Sequence, residues 1–461
     1  MNMAKKKATI STSASTYANY SEAVEKKLTS IKATPGDRIH IIQGLKDIEG
    51  ILIAQNEMGN PDSIKIKLDN GYNIGIKFNE ETEINKLEGS IELEKFQIRI
   101  PKQNKNLPEV SLLATGGTIA SRIDYQTGGV VMAMQPEEIF ASLPELFDEV
   151  SFKTVKSLYN LGSEDMNHNE WGTIAENVVS ELNGGTKGVI ISHGTDTMGY
   201  TAAALSFMVS NINAPVVITG AQRSSDRGSF DGAINLISAA RVAAKSNIAS
   251  VMVCMHETSD DNYCRLSRGT KVRKMHTSRR DAFKSINEDP LARIDVEGNL
   301  TELHTSLPRR HNGDTVLKKD FDDRITLIKI FPGITPDILD WYIDKGTKGI
   351  IIEGTGLGHV PSFPTNKTKS WLPSLKRAVE DGIFVGMTSQ CLYGRVHPYV
   401  YRALRATYQT GVTYLGDMLP ETALIKIGWV LGNYTEIEKI KNSMLTNYAG
   451  EISDSSMYVG Y

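Results

Sequence analysis

Between residues 36 and 100 the apolar side chains fall into short runs such as "DRIHII", "EGILIAQ" and "SIKIKLDNGYNIGIKF". Alternation with a period of two predicts strands with one buried face. Asn70-Gly71, set between two such runs, predicts a tight hairpin. Several short strands in so short a span predict a small β-barrel-like domain. After residue 109 the rhythm changes. Apolar runs ("EVSLLAT", "GVIISHG", "PVVITGA", "ASVMVCMH") now alternate with helix-period stretches such as "NEWGTIAENVVSELN" and "GYTAAALSFMVSN". That order predicts an α/β fold with a doubly wound parallel sheet. A second α/β unit is predicted from "RITLIKI", "GIIIEGTG" and "GIFVGMTSQ". In its "TPDILDWYIDKG", Thr335 is expected as N-cap, Pro336 as first helical residue and Gly346 as the stop.

Polar stretches divide these units. Residues 1–35, rich in Ser, Thr, Ala and Lys, predict a mobile tail with a short helix around "SEAVEKKLTSI". "PKQNKNLPE" (101–109) and residues 306–324 read as linkers, and the final dozen residues as a frayed end. The expected organisation is a tail (1–35), a β domain (36–100), an α/β domain (109–305) and a second α/β domain (325–445).

Composition narrows the function classes. A net charge of −3 over 461 residues provides no global field to recruit nucleic acid, so any RNA contact must be local or come through a partner. Cys254, Cys264 and Cys391 have no C-x-x-C spacing, which argues against a disulfide framework or zinc ribbon and for buried or half-buried free thiols. No metal site is expected, and no stretch approaches the roughly 20 apolar residues of a membrane helix. The N-terminus lacks the apolar core of a signal peptide. A cytoplasmic protein is expected.

Chemistry concentrates at strand ends. Four apolar runs finish in the turns "ATGGT", "SHGTDT", "TGAQR" and "EGTGLG". Glycine lets backbone N–H groups face a ligand oxygen, and a hydroxyl beside them can attack a carbonyl while they hold the oxyanion. Standing alone, one Thr-Gly-Gly-Thr is better read as a tight turn with capping hydroxyls. "HGTDT" adds Thr195 beside Asp196, but a threonine nucleophile needs its proton removed. "SRGTKVRKMHTSRRDAF" (267–283) offers Lys274 among Arg268, Lys271, Arg273, Arg279 and Arg280, and like charges disfavour a protonated amine. By itself that segment is also what a solvated basic loop looks like.

"ATGGTIAS", "SHGTDTM", "PVVITGAQR", "DGAIN" and "KMHTSRRDAF" together resemble the asparaginase/glutaminase amidohydrolase family over about residues 109–430. "TSQCLYGRV", "DMLPETALIKIGWVLG" and the leading β domain narrow the resemblance to amidohydrolase subunits of archaeal tRNA-dependent amidotransferases. The resemblance implies Thr118 as nucleophile, Lys274 taking the threonine proton, Asp196 orienting it, and Thr195 aiding water activation and substrate placement. The opposite order of the two threonines remains open. Thr115 is expected to be structural. Gly117 lies where oxyanion donors are expected, and Tyr125 matches the family's lid tyrosine. Ser163 occupies the substrate-carboxylate position, and Glu164 is expected to meet the substrate amino group. "EGTGLGHVP" (353–361) departs from the family pattern: it lacks the asparagine that many asparaginases present there from a neighbouring subunit.

The resemblance further implies glutamine as substrate, a dimeric core, no cofactor on this chain, and a tRNA-binding partner subunit that uses ATP and Mg to amidate Glu-tRNA(Gln). The chain has no G-x-x-x-x-G-K-[ST] loop of its own. Two other functions fit the same residues: a free-standing asparaginase and a non-catalytic interaction subunit. The extra β domain argues against the first and the complete catalytic set against the second.

Overall fold

The computed structural model describes residues 17, 19–56, 59–87, 103–117, 121–123, 130–132, 143–225, 227, 229–304 and 306–455, with backbone alone at 121–123 and 130–132. The described chain divides into two compact units. In the first, β1 (Arg38–Gln43), β2 (Lys46–Ile53), β3 (Ser63–Lys67), β4 (Asn73–Lys77) and β5 (Glu83–Lys86) form an antiparallel sheet in the order β4-β3-β2-β1-β5. Its buried face is built from alternate isoleucines, Ile39 and Ile41, Ile64 and Ile66, Ile76 and Ile84. The β3–β4 hairpin turns at Asn70-Gly71, with Gly71 at φ +84°. Leu68 N–H donates to Tyr72 O (2.8 Å), so the loop holds three residues ending on a left-handed glycine. Gln43 Nε2 reaches from β1 to Lys77 O on β4 (2.8 Å), curling the sheet.

The expected mobile tail ends earlier than residue 35. α1 (Glu22–Ser30) buries Val24 and Leu28 in the β-domain core, each worth about 1.5–3 kcal/mol relative to exposure. Tyr20 is buried too and donates its hydroxyl to Ile53 O (2.8 Å). The described residues 121–123, 130–132, 224, 225, 227, 229 and 230 belong to the same unit, and Ser121–Ile123 pairs antiparallel with Val130–Met132.

The second unit carries an eight-stranded sheet. Five strands are mutually parallel in the order β7-β6-β8-β9-β10: β6 (Glu109–Gly116), β7 (Ser151–Leu161), β8 (Val189–Ser192), β9 (Val216–Thr219) and β10 (Val251–His256). Beyond β10 the sheet turns antiparallel through β11 (Tyr263–Arg268), β14 (Ala292–Asp295) and β15 (Leu300–Glu302), so the expected all-parallel sheet is mixed at one edge. Between β11 and β14 lies the hairpin of β12 (Val272–Lys274) and β13 (Phe283–Ser285). The segment 267–283, for which a solvated basic loop is the alternative reading, places Lys274 on a strand, with turns on either side of β12.

α2 (His168–Asn183) starts at a capping box of Asn167 and Glu170. α3 (Met198–Met208) is apolar nearly all round because it is enclosed on all sides. α4 (Gly232–Lys245) follows β9. The C-terminal lobe is a four-stranded parallel sheet, β16 (Ile325–Lys329), β17 (Gly349–Gly354), β18 (Phe384–Ser389) and β19 (Thr413–Tyr414). Its helices are α5 (Asp337–Asp344), α6 (Leu372–Glu380), α7 (Arg402–Gln409), α8 (Pro420–Asn433) and α9 (Ile437–Leu445). α5 begins one residue later than expected: Pro336 stands at the cap, and Thr335 Oγ1 donates instead to Asp337 Oδ2 (2.8 Å). Gly346, at φ +81°, ends it as expected.

The two lobes share one core, in which Phe207 of α3 stacks on Trp429 of α8 with ring centroids 5.7 Å apart. The 306–324 linker is docked rather than free, because Arg310 donates to Ser246 O (2.6 Å) and Trp429 Nε1 to Lys318 O (2.9 Å). Nor is the chain frayed up to residue 455: Glu451 is fully buried against Lys426 of α8, with an ion pair of 2.5 Å. Of the three thiols, Cys254 and Cys264 are buried and free, while Cys391 is exposed.

Candidate active site

β6 ends in a glycine pair that no other residue could replace without movement. Gly116 and Gly117 have φ of +106° and +85°, a region that favours glycine. A Cβ on Gly116 would lie 2.6 Å from Leu161 O, beside an irregularity in β6–β7 pairing. A Cβ on Gly117 would lie 2.4 Å from Gly194 N. The turn after β6 therefore rests directly on the turn after β8. Thr115 is buried and donates to Ser192 O (2.9 Å), tying the two strands together in the structural role expected for it. Thr118 and Tyr125 lie outside the described residues.

The β8 turn carries Thr195 and Asp196. Lys274 Nζ, from β12, is 2.9 Å from Thr195 Oγ1 and 2.7 Å from Asp196 Oδ1. Thr195 is buried, whereas the Asp196 side chain is 69 % exposed and open to a ligand. Residues 79 positions apart in sequence thus share one hydrogen-bonded cluster. Such distances are within proton-transfer reach.

Ser163 and Glu164 sit on a short 3-10 turn after β7. Ser163 is buried against Gly194; its Oγ accepts from Thr197 N–H (3.3 Å) and its carbonyl from Thr197 Oγ1 (2.6 Å). Glu164 is exposed, with its carboxylate folded over Gly162. Two features invisible to motif reading fix the turn. Trp171 Nε1 donates to Thr201 Oγ1 (3.0 Å), and Thr201 Oγ1 is 2.8 Å from His193 Nε2. His193 Nδ1 is 2.6 Å from Gly194 O, which can only accept, so Nδ1 carries the proton and Nε2 accepts from Thr201. Burial pushes the His193 imidazole down to about 4, which keeps it neutral. "DGAIN" acts on the next turn. Asp231 accepts from the amides of Gln222 (3.0 Å) and Arg223 (3.0 Å), and Asn235 Nδ2 donates to Gly220 O (2.9 Å). His193 stands in "SHGTDT" itself, but nothing in the sequence distinguishes a turn-fixing imidazole from a reacting one.

The expected crowd of cations around Lys274 does not act as one. Arg268 pairs with Glu288, Lys271 with Asp417, Arg273 with Glu421, Arg279 with Asp281 and Arg280 with Asp261. Each positive charge has its own carboxylate, so like-charge crowding is largely cancelled. Lys274 is defined by its two site partners instead. Among the described residues no group of three or more His, Cys, Asp or Glu is placed to hold a metal ion, and no helix is long and apolar enough to cross a membrane.

A hydroxyl–carboxylate–amine cluster against a double-glycine turn, on this pair of lobes, defines an asparaginase-type amidohydrolase fold. Residues 109–308 match the family described as asparaginase, N-terminal, and residues 324–444 the glutaminase/asparaginase C-terminal domain. The L-asparaginase of Thermococcus kodakarensis superimposes with a TM-score of 0.67 at 31 % identity, covering 75 % of this chain and 100 % of that one. L-asparaginase I of Vibrio cholerae gives 0.65 at 30 %, covering 75 % and 99 %. Residues 33–87 match the GatD N-terminal domain. The D subunit of the glutamyl-tRNA(Gln) amidotransferase of Pyrococcus furiosus is 49 % identical over 91 % of this chain and 94 % of its own length. Its counterpart in Pyrococcus horikoshii is 45 % identical over 95 % and 99 %. The chain belongs to the D-subunit family of glutamyl-tRNA(Gln) amidotransferases.

Proposed function

We propose that this chain releases ammonia from glutamine for an E-type partner subunit, which uses it to convert Glu-tRNA(Gln) to Gln-tRNA(Gln). The hydroxyl of Thr118 attacks the side-chain amide carbon of glutamine, its proton passing towards Lys274. The amide nitrogen takes up a proton and leaves as ammonia. Water, activated beside Thr195, then hydrolyses the glutamyl ester to glutamate. Backbone N–H groups near Gly117 and Thr195 hold the oxyanion, each such donor being worth on the order of 10²–10³ in rate. Ser163 binds the substrate carboxylate, while Glu164 and Asp196 meet its amino group. Tyr125 takes the part of the family's lid tyrosine, a role that rests on the resemblance alone.

The observation that carries this reading is the contact of Lys274 Nζ with both Thr195 Oγ1 and Asp196 Oδ1, at 2.9 and 2.7 Å, in a turn that packs on Gly117. Tight backbone approach there supports a single pocket shared by both turns. ATP and Mg chemistry belongs, in this reading, to the partner, and the chain works in the cytoplasm as a dimer inside the complex, without a cofactor of its own. The resemblance to L-asparaginases favours a second reading, asparagine hydrolysis without a partner. Ammonia release measured with each amide, with and without the partner and Glu-tRNA(Gln), separates the two. Glutamine turnover that rises with partner and tRNA supports the first; high partner-independent asparagine turnover replaces it with the second. Thr118→Ala should abolish ammonia release while the fold is retained, and residual wild-type activity would remove Thr118 from its role.

A further inference from the structure

The strand bearing Lys274 is gripped from the other lobe. Lys271, fully buried, donates to Asp417 Oδ2 (2.6 Å). Arg273 pairs with Glu421 Oε1 (2.9 Å), and Thr422 Oγ1 donates to Thr270 O (2.9 Å). The three partners lie within residues 417–422, where the C-terminal lobe turns into α8. Residues 270, 271 and 273 are thus each held by one turn of the opposite lobe, and Lys274 comes next. On β12 successive side chains point to opposite faces. Val272 enters the shared core, Arg273 faces Glu421, and Lys274 reaches Thr195.

The grip continues into the C-terminal segment. Asp417 uses its second oxygen to accept from Ser453 N–H (2.8 Å), and Thr270 Oγ1 donates to Ala449 O (3.0 Å). That segment is itself pinned by Glu451, whose buried carboxylate takes Lys426 Nζ (2.5 Å) and the amides of Tyr448 (3.1 Å) and Ala449 (2.7 Å). Docking of residues 448–453, the α8 turn and the register of β12 are parts of one buried polar unit.

We propose that Asp417 and Glu421 are positioning residues that set the Lys274 amine against Thr195 and Asp196. The proposal rests on the reading of Lys274 as the base. In this role neither carboxylate needs to touch substrate. Each acts through the strand, and a misplacement of about 1 Å in a reacting group is enough to lower a rate about 10²-fold.

The test uses the full chain with its partner, carrying Glu421→Gln, and in a second variant Lys271→Met with Asp417→Leu, which removes both charges without leaving one buried and unpaired. Two readouts are taken. The first is kcat and KM for glutamine-dependent ammonia release; the second is the rate of reductive methylation of Lys274, followed by peptide mass spectrometry. Positioning predicts that Glu421→Gln lowers kcat by about 10–100-fold with KM nearly unchanged. It also predicts faster Lys274 methylation and partial recovery in Glu421→Asp. The double variant should behave as Glu421→Gln does. Unchanged kcat in folded variants, or a loss that only tracks the folded fraction, overturns the proposal. Should the wild type release no ammonia, the functional reading fails on its own. Lys274 methylation then still decides this proposal: faster labelling in the variants supports it, and unchanged labelling overturns it.

Discussion

At the scale of single residues, the site is organised by which atoms can donate and which can only accept. Lys274 Nζ makes two hydrogen-bond contacts, to Thr195 Oγ1 and to Asp196 Oδ1, and Asp196 as a carboxylate can only accept. Substitution Lys274→Met keeps the stem and removes both bonds. We expect ammonia release to fall about 10²–10⁴-fold, the usual worth of a positioned acid–base group, with thermal unfolding little changed. His193 makes a different prediction. Its folded-state value of about 4 lies below the ordinary 6.5, so in that window the unfolded chain binds the additional proton. Its contribution is therefore complete above about pH 6.5 and is lost as pH falls towards about 4, a change on the order of 3 kcal/mol. Denaturant unfolding at about pH 7 and about pH 4.5 should show a smaller difference in His193→Gln than in the wild type. An equal difference would mean that His193 is not the titrating group.

At the scale of elements, turns position the chemistry and strands position the turns. Gly117→Ala places a methyl 2.4 Å from a backbone nitrogen at a φ of +85°. The strain should cost at least about 1–3 kcal/mol. Because relief requires the two turns to separate, ammonia release should drop further than the folded fraction, measured by activity against circular dichroism on one sample. These turns were legible in the sequence because glycines, hydroxyls and apolar runs are local signals. So was the role of Thr115, whose side chain ties β6 to β8, and the hairpin at Asn70-Gly71. What escaped the sequence was pairing across distance. The antiparallel edge formed by β11, β14 and β15, the docking of α1, and the carboxylate partners of Lys271 and Arg273 depend on residues that no local pattern links. The cations looked like a cluster acting on Lys274 because the sequence places them side by side. Asp417 and Glu421, the partners of Lys271 and Arg273, lie about 150 residues away and carry no motif.

At the scale of the molecule, residues 448–453 close back onto the shared core. Lys426 and Glu451 are both fully buried, and burial pushes the Lys426 amine down from its ordinary range. Removing one partner leaves an uncompensated charge, so Glu451→Ala should destabilise the protein by about 3–5 kcal/mol in denaturant unfolding. Lys426→Met combined with Glu451→Leu should cost much less; an equal loss would assign the effect to packing.

The central claim is that the double-glycine turn and the Thr195–Asp196–Lys274 cluster form one amidase centre, divided between a nucleophile and a water-activating group. Its most direct test is mass spectrometry of Thr195→Val protein, in complex with its partner, acid-quenched during glutamine turnover. A glutamyl ester on the peptide carrying Thr118, absent when Thr118→Ala is added, is the predicted result. An ester on another residue, or undiminished ammonia release with no ester on Thr118, would contradict it.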